Sequence, residues 1–562
     1  MLPPTHTRAA RQFARAARQC PTGRRPKGSQ HAGHRSERDP LPFSQTRLRT
    51  ITSTATLAGR WLAGDPALDA KLQVGRSLTT QSARAPGTGS RQTFDIKASA
   101  QNFKEEKFRL STLDLFNTQN YSTHALFFKV DEAEKANIAY AFKQGLRQAL
   151  NQCRHMLGHL QPNEYGDFSL VTTSKSAVRL VIQWLDDPVT GGFPSYSEIE
   201  RAKFTSQSLG DISRLTIEGM RMGCRRAPDS RPEMAGFQLN FIPGGLIFTV
   251  HKHHAGLDIA GTTSLIHQIA ANVKHVISRT PAPDWDDSLM DRSRFITSTS
   301  DIAKTNLQLP PPAPGRHQAW LPNSWLLFHL PRSKAAELKR QATPPDGQWI
   351  STHDAVVAFL WRVLSRHRAK IYKPNLSEPA LLFEAINMRD RLTPPLPARY
   401  QGNALSAGVS TDQPHPLTLA EVITTAPLHQ LAQFIRQMTT SATQERLDKT
   451  LESLAPFKDK WKLHPRLDAI PPMSLVVTDW RKADMCDADF GFGRPAAFRQ
   501  LSDIVIENMM VIYPPLKSND EDPDNGLEVM VPFESHAVDM LKEDAELTRY
   551  FEFRGFEACP PT

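Results

Sequence analysis

The sequence predicts an α/β protein with two large domains behind a basic lead-in. Three observations carry this reading. Strand-like and helix-like runs alternate throughout the chain. Its 562 residues exceed what a single core ordinarily fills. Pro310-Pro311-Pro312-Ala313-Pro314-Gly315 interrupts it with a stretch that can be neither helix nor central strand. The expected domains are residues 95–309 and 326–562, joined by a proline-rich crossover at 310–325, with residues 1–94 as a low-complexity leader.

Charge supports that division. The leader holds 16 Lys/Arg against 4 Asp/Glu, leaving 52 against 54 for the remainder, so the net +10 belongs to the leader. A near-neutral body argues against a polyanion-binding role, and no nucleic-acid partner is expected. Arg8, Arg11, Arg15 and Arg18 would share one helical face, as in a mitochondrial presequence. Pro21, Gly23 and Pro26 cut that helix short, which favours a disordered extension or a misassigned start over a presequence. The expected location is cytoplasmic, or mitochondrial if the leader is a presequence. No apolar run approaches the ~20 residues that span a bilayer. Five cysteines without a C-x-x-C pair fit a reducing compartment, with no disulfide framework and no cysteine zinc site.

The elements follow in order. Ala125 to Val130 reads as a strand, after an apolar stretch at Leu110 to Leu115. Residues 132–160 read as a helix, since Ile138, Phe142, Leu146 and Leu150 recur every four positions. Phe237 to Ile242 and Leu246 to Val250 are strand-like runs around Pro243-Gly244-Gly245, the chemistry of a hairpin turn. Gly261-Thr262-Thr263 opens a helix whose face is Leu265, Ile266, Ile269 and Val273. Past the crossover come a strand at Leu326 to Leu330 and a helix at Ser333 to Arg340. The next helix starts at Ser351-Thr352-His353-Asp354, a capping box. Ser474 to Val477 is a further strand. Leu527 to Val531 is the last, followed by a helix over Ala537 to Tyr550.

The stretch His253-His254-Ala255-Gly256-Leu257-Asp258 places a histidine at a strand end and an aspartate just before a helix. Such a histidine is fixed by the scaffold yet can face a cavity, which suits a general base. The spacing alone decides nothing, because His464 and Asp468 share it. Three other segments add weight. Asp489-Phe490-Gly491-Phe492-Gly493 alternates aromatics with glycines, the composition of a tight structural turn. Thr478 and Trp480, just past a strand, offer a hydroxyl and an indole N–H that could serve an oxyanion, or simple packing. Asn387-Met388-Arg389-Asp390-Arg391 leads to Pro394-Pro395-Leu396-Pro397 and Tyr400-Gln401-Gly402-Asn403.

Together these residues resemble the BAHD family of acyl-CoA-dependent acyltransferases. The family's His-x-x-x-Asp and Asp-Phe-Gly-Trp-Gly signatures stand here as His254 to Asp258 and Asp489 to Gly493. Ser351 to Arg362 and Asn387 to Asn403 match two further family segments. The resemblance spans about residues 95–555 and looks most like the fungal, trichothecene 3-O-acetyltransferase-like branch. It departs in having Phe492 for the usual tryptophan and Ile259 for the usual glycine after Asp258.

The resemblance implies a chloramphenicol acetyltransferase-like fold, with mixed sheets flanked by helices and a tunnel between the domains. It implies acyl transfer, acetyl by default, from acyl-CoA to a hydroxyl (less readily an amine) of a small specialised metabolite. His254 would be the general base. Asp258 would hold the loop by pairing with Arg389 or Arg391, and Thr478 and Trp480 would lie near the oxyanion and acyl group. No bound cofactor or metal is expected, acyl-CoA being a co-substrate, and the protein is expected to be a monomer. Three alternatives stay open: a condensation-domain-like enzyme using carrier-protein thioesters, an inactive family member, and a zinc site of His251, His253, His254 and Asp258. The last would need side chains from both faces of one strand to converge.

Overall fold

The computed structural model describes residues 91–98, 104–116, 119–164, 167–186, 192–227, 230–297, 308–463, 466–519 and 521–558. The leader up to residue 90, and His464, lie outside them.

Two mixed sheets form the frame. The hairpin is the heart of the first. Ala235–Ile242 and Gly245–His253 are buried at every position, which explains their continuous apolar character. They turn through Pro243-Gly244, where Gly244 takes a positive φ of 69°. In spatial order the first sheet runs Arg91–Ile96, Val178–Trp184, Ala235–Ile242, Gly245–His253, Tyr121–Lys129 and Ala497–Gln500. The second runs Leu405–Val409, Leu382–Asn387, Leu475–Asp479, Met509–Tyr513, Leu527–Glu534, Asn323–Leu330 and Glu552–Ala558. A small third sheet joins Glu106–Arg109, Phe168–Thr172 and His159–Pro162.

The strand Ala497–Gln500 pairs with Tyr121–Lys129, so the chain beyond the proline-rich stretch returns to the first sheet. That sheet is therefore not built from residues 95–309 alone. The cores follow suit: one cluster buries Leu126, Phe142, Phe248 and Leu265 together with Trp480, Phe490, Phe498 and Tyr513. A second core lies under the long helix Thr352–Tyr372 and includes Leu338, Phe359, Trp361, Val477 and Val531.

Helix Ile259–Ser278 packs on Lys135–Gln152 so closely that a Cβ on Gly145 would stand 2.6 Å from the Val273 backbone nitrogen. Helix Thr352–Tyr372 begins with the expected capping box: Ser351 Oγ accepts from Asp354 N, and Asp354 Oδ2 accepts from Ser351 N.

Two expected helices are shorter than their apolar periodicity suggests. The helix expected over 132–160 is Lys135–Gln152; Cys153 then leaves helical geometry, with ψ near 54°, and His159–Pro162 pairs as a strand with Phe168–Thr172. Ala537 to Tyr550 divides into Val538–Lys542 and Ala545–Thr548. Asp544 between them accepts from Glu546 N and Leu547 N and so restarts the chain as a helix cap.

Candidate active site

Pairing register places the candidate base. Val250, Lys252 and His254 lie on one face of the hairpin strand, and His251 and His253 on the other. The latter two are committed to the backbone. His251 Nε2 accepts from Ile217 N at 3.1 Å, and its Nδ1 lies 3.3 Å from the Gly236 carbonyl. His253 Nε2 lies 2.9 Å from the Arg226 carbonyl, while its Nδ1 accepts from Ala255 N at 3.3 Å. These rings do not converge with His254. Among the described residues no cluster of three or more His, Cys, Asp or Glu is placed to hold a metal ion.

Just beyond the strand end, His254 as a whole is partly exposed while its ring Nδ1 is buried. Its N–H donates to the Asn120 carbonyl at 3.0 Å, and its own carbonyl accepts from Asn403 Nδ2 at 3.1 Å. Its Nδ1 has no hydrogen-bond partner among the described residues. Burial, and next the charge of Lys252, push the imidazole pKa well below its ordinary value, so the ring is neutral at cellular pH. Lys252 is itself buried, donates from Nζ to the Leu257 carbonyl at 2.5 Å, and is pushed down to about 7 by burial.

Asp258 bonds elsewhere than to that histidine. Its Oδ1 accepts from Gly261 N at 2.8 Å, capping helix Ile259–Ser278, and from Arg389 Nη2 at 2.8 Å. Its Oδ2 accepts from Arg389 Nη1 at 2.9 Å and Ala404 N at 3.0 Å. Burial opposes ionisation, but Arg389 and the backbone donors hold the carboxyl below its ordinary range. Both Asp258 oxygens are thus taken by the Arg389 guanidinium and by backbone donors. The helix starts at Ile259 with Asp258 as its extended N-cap, although the usual glycine is missing there. Arg391, the other candidate partner, instead donates to the Thr439 and Ala442 carbonyls.

Sequence reading missed a second buried pair. Asp114 and Arg292 meet at 3.1 Å, with side chains 0% and 2% exposed. Arg292 Nη2 also donates to the carbonyls of Gly256 (3.0 Å) and Gln401 (2.8 Å), and Asp114 Oδ1 accepts from Asn403 Nδ2 at 2.8 Å. A third group was also missed: His353 sits between Glu384 (2.8 Å) and Asp479 (3.2 Å), and these carboxylates overcome burial to push it up to about 10.

Thr478 and Trp480 are adjacent, but not as two independent donors. The Trp480 indole N–H donates to Thr478 Oγ1 at 2.9 Å, so it is spent inside the protein. That bond occupies an acceptor site on the hydroxyl and leaves the Thr478 hydrogen free to donate. The indole ring packs edge-on against His124 at 5.4 Å and Tyr513 at 5.5 Å. His124 shares the sheet face of Lys252 and His254, so the Trp480 ring packs on the face of the first sheet that carries His254.

The Asp489 to Gly493 segment is a turn docked far along the same helix. Gly491 has φ 84° and a Cβ there would stand 2.9 Å from Lys274 Cα. Phe490 N donates to the Gly493 carbonyl at 3.0 Å, while Asp489 meets Lys274 Nζ at 2.8 Å. Phe490 is fully buried against Phe128 and Phe142, and Phe492 packs on the same Phe128 ring. Phe492 thus supplies a phenyl ring to this cluster where the family usually has an indole.

Comparison with known proteins agrees with this geometry. The model of the Transferase family matches residues 236–548, and that of the trichothecene 3-O-acetyltransferase-like N-terminal domain matches residues 121–272. Acetyltransferase FGR3 of Gibberella zeae is 40% identical over 460 residues, 81% of this chain and 92% of that protein. The chain belongs to the Transferase family. It is an acyl-CoA-dependent acyltransferase of the BAHD type. Trichothecene 3-O-acetyltransferase TRI101 of Fusarium sporotrichioides is 23% identical over 77% of this chain and 94% of its own. Among solved structures, F. graminearum TRI101 with coenzyme A and deoxynivalenol gives a TM-score of 0.64 at 20% identity, covering 80% of this chain and all of that one. Vinorine synthase gives 0.58 at 18%, covering 82% and 99%. The acyltransferase fold expected from the sequence is thus shared with both. No helix among the described residues is long and apolar enough to cross a membrane.

Proposed function

We propose that this acyltransferase moves an acetyl group from acetyl-CoA to a hydroxyl of a small specialised metabolite, with His254 as general base. The observation that carries the reading is the placement of His254: an imidazole at a strand end, its backbone fixed on both sides, its carboxylate neighbour bonded elsewhere. A thioester carbonyl is already electrophilic. The remaining task is to remove the acceptor's proton as its oxygen attacks, which a positioned base accelerates by roughly 10²–10⁴-fold. The new bond joins the acceptor oxygen to the acetyl carbon, and the C–S bond breaks. The departing CoA thiolate takes the proton that His254 accepted.

The Thr478 hydroxyl, oriented by the Trp480 indole, is the donor assigned to the developing oxyanion. Acceptor and acetyl-CoA would approach from opposite ends of a tunnel between the two sheets, in a ternary complex without a covalent enzyme intermediate. The kinship with acetyltransferases, including TRI101 crystallised with coenzyme A and a trichothecene, supports both co-substrates. The enzyme is read as a cytoplasmic monomer, or mitochondrial if the leader is a presequence. The test incubates the full chain with acetyl-CoA and a panel of hydroxylated metabolites, following acetylated product by mass spectrometry. An acetylated product that disappears in His254→Ala is expected. Product formation undiminished by His254→Ala would overturn the assignment of the base.

A further inference from the structure

We propose that Asp114, Arg292 and Asn403 are positioning residues for His254; this rests on the reading of His254 as the base. The two hydrogens of the Asn403 side-chain amide have two acceptors, Asp114 Oδ1 at 2.8 Å and the His254 carbonyl at 3.1 Å. Only one amide orientation satisfies both. A flipped amide would set its oxygen against the Asp114 carboxylate and the His254 carbonyl together. Asp114 thereby selects the orientation in which Asn403 grips the base's backbone.

Asp114 is fixed in turn. Its Oδ2 accepts from Ser111 N at 2.9 Å, Ser111 Oγ at 2.7 Å and Arg292 Nε at 3.1 Å. Arg292 carries the same pair back to the loop by donating to the Gly256 carbonyl. Two of the loop's carbonyls, at positions 254 and 256, are therefore tied to one buried ion pair drawn from opposite sides, residues 114 and 292. Asp258 and Arg389 hold the loop's other end. None of Asp114, Arg292 and Asn403 is more than 4% exposed. An ion pair in that setting is a costly way to gain stability, and a fixed geometry for the loop is what it supplies.

The test uses the full chain and two readouts. The first is thiol release from acetyl-CoA with water as the acceptor. Asn403→Ala should lower kcat by about 10- to 100-fold while the KM for acetyl-CoA stays within about twofold. In a His254→Ala background the same substitution should change nothing further, because the geometry it maintains serves that ring alone. Equal losses in the two backgrounds, or none in the first, overturn the proposal. Undiminished thiol release by His254→Ala overturns the base reading instead, so the two failures are distinguishable.

The second readout needs no turnover. Amide exchange of residues 253–262 should rise at least tenfold in Asn403→Ala while helix Thr352–Tyr372 stays protected; unchanged exchange at 253–262 overturns the proposal. If Asn403→Ala does not fold, Asn403→Ser, which leaves the Asp114–Arg292 pair intact, carries both measurements. Arg292→Lys should give a smaller kcat loss than Arg292→Met, since one ammonium can keep the pair but cannot also span Gly256 and Gln401.

Discussion

Replacing Arg389 with methionine removes five hydrogen bonds at once: two to Asp258, and one each to the Tyr400 carbonyl, the Gly402 carbonyl and Asn387 Oδ1. Removing one partner of a buried ion pair costs about 3–5 kcal/mol, because a charge is left behind without compensation. Asp258 keeps two backbone donors, Gly261 N and Ala404 N, which places the expected loss near the lower end, about 3 kcal/mol. Its pH dependence is more diagnostic. In the parent the Asp258 carboxyl titrates below its ordinary value, so its contribution is complete above that value and fades as pH falls through the lowered one. Without Arg389, burial, already the largest single influence, is opposed by the Gly261 and Ala404 backbone bonds, and the carboxyl should titrate above its ordinary value. The variant's stability at Asp258 must then decline as pH rises through that window. Urea unfolding of parent and variant at pH 5 and pH 7.5 measures this, and the deficit should be larger at pH 7.5. An equal deficit at both pH values, or one below about 1 kcal/mol, would refute the assignment of Arg389 as the group that keeps Asp258 ionised.

Further outcomes follow from the same geometry. His254→Ala should lower acetyl transfer by about 10²–10⁴-fold with little change in the KM for acetyl-CoA, as measured by steady-state thiol release. Thr478→Val should reduce kcat by about 10- to 100-fold, and Trp480→Phe should cost nothing more once Thr478 is valine, since the indole acts through that hydroxyl. Glu557, buried beside Arg499, is pushed up to about 7, burial being the main cause. The native state therefore binds this proton more tightly than the unfolded chain, and stability should fall as pH rises from the ordinary carboxylate range through about 7. Glu557→Gln should flatten that slope in a series of thermal melts. Gly491→Ala, which needs a positive φ and meets Lys274, should cost about 1–3 kcal/mol by urea unfolding and lower activity only in proportion to folded protein.

What was legible in the chain was local. The hairpin, the capping box at Ser351 and the helix after Asp258 each announce themselves within a few residues, so composition and periodicity sufficed to place them. The second clamp joins Asp114 to Arg292, 178 positions apart, and neither sits in a pattern distinguishing it from a solvated surface charge. Arg389 and Arg391 differ by two positions, and only the path of the chain around Met388 sends one to Asp258 and the other to the carbonyls near Thr439. The sequence shows the Trp480 N–H but not what it faces, and a ligand and Thr478 are indistinguishable there as its acceptor. The strand Ala497–Gln500 carries no mark of the sheet it joins, since its partner lies across the molecule. Where helices were drawn too long, the apolar period continued through Cys153 and Asp544 although the backbone turned there.

Helix Ile259–Ser278 begins at Asp258 and is met near its far end by Asp489 through Lys274. The two family signatures, so far apart in the chain, are thus the bolts at either end of a single strut. The same arrangement makes the motifs inseparable. A fragment ending before Asp489 would retain every residue assigned to proton transfer and to the oxyanion, yet lose the contact that Asp489 makes with Lys274 near the helix's far end.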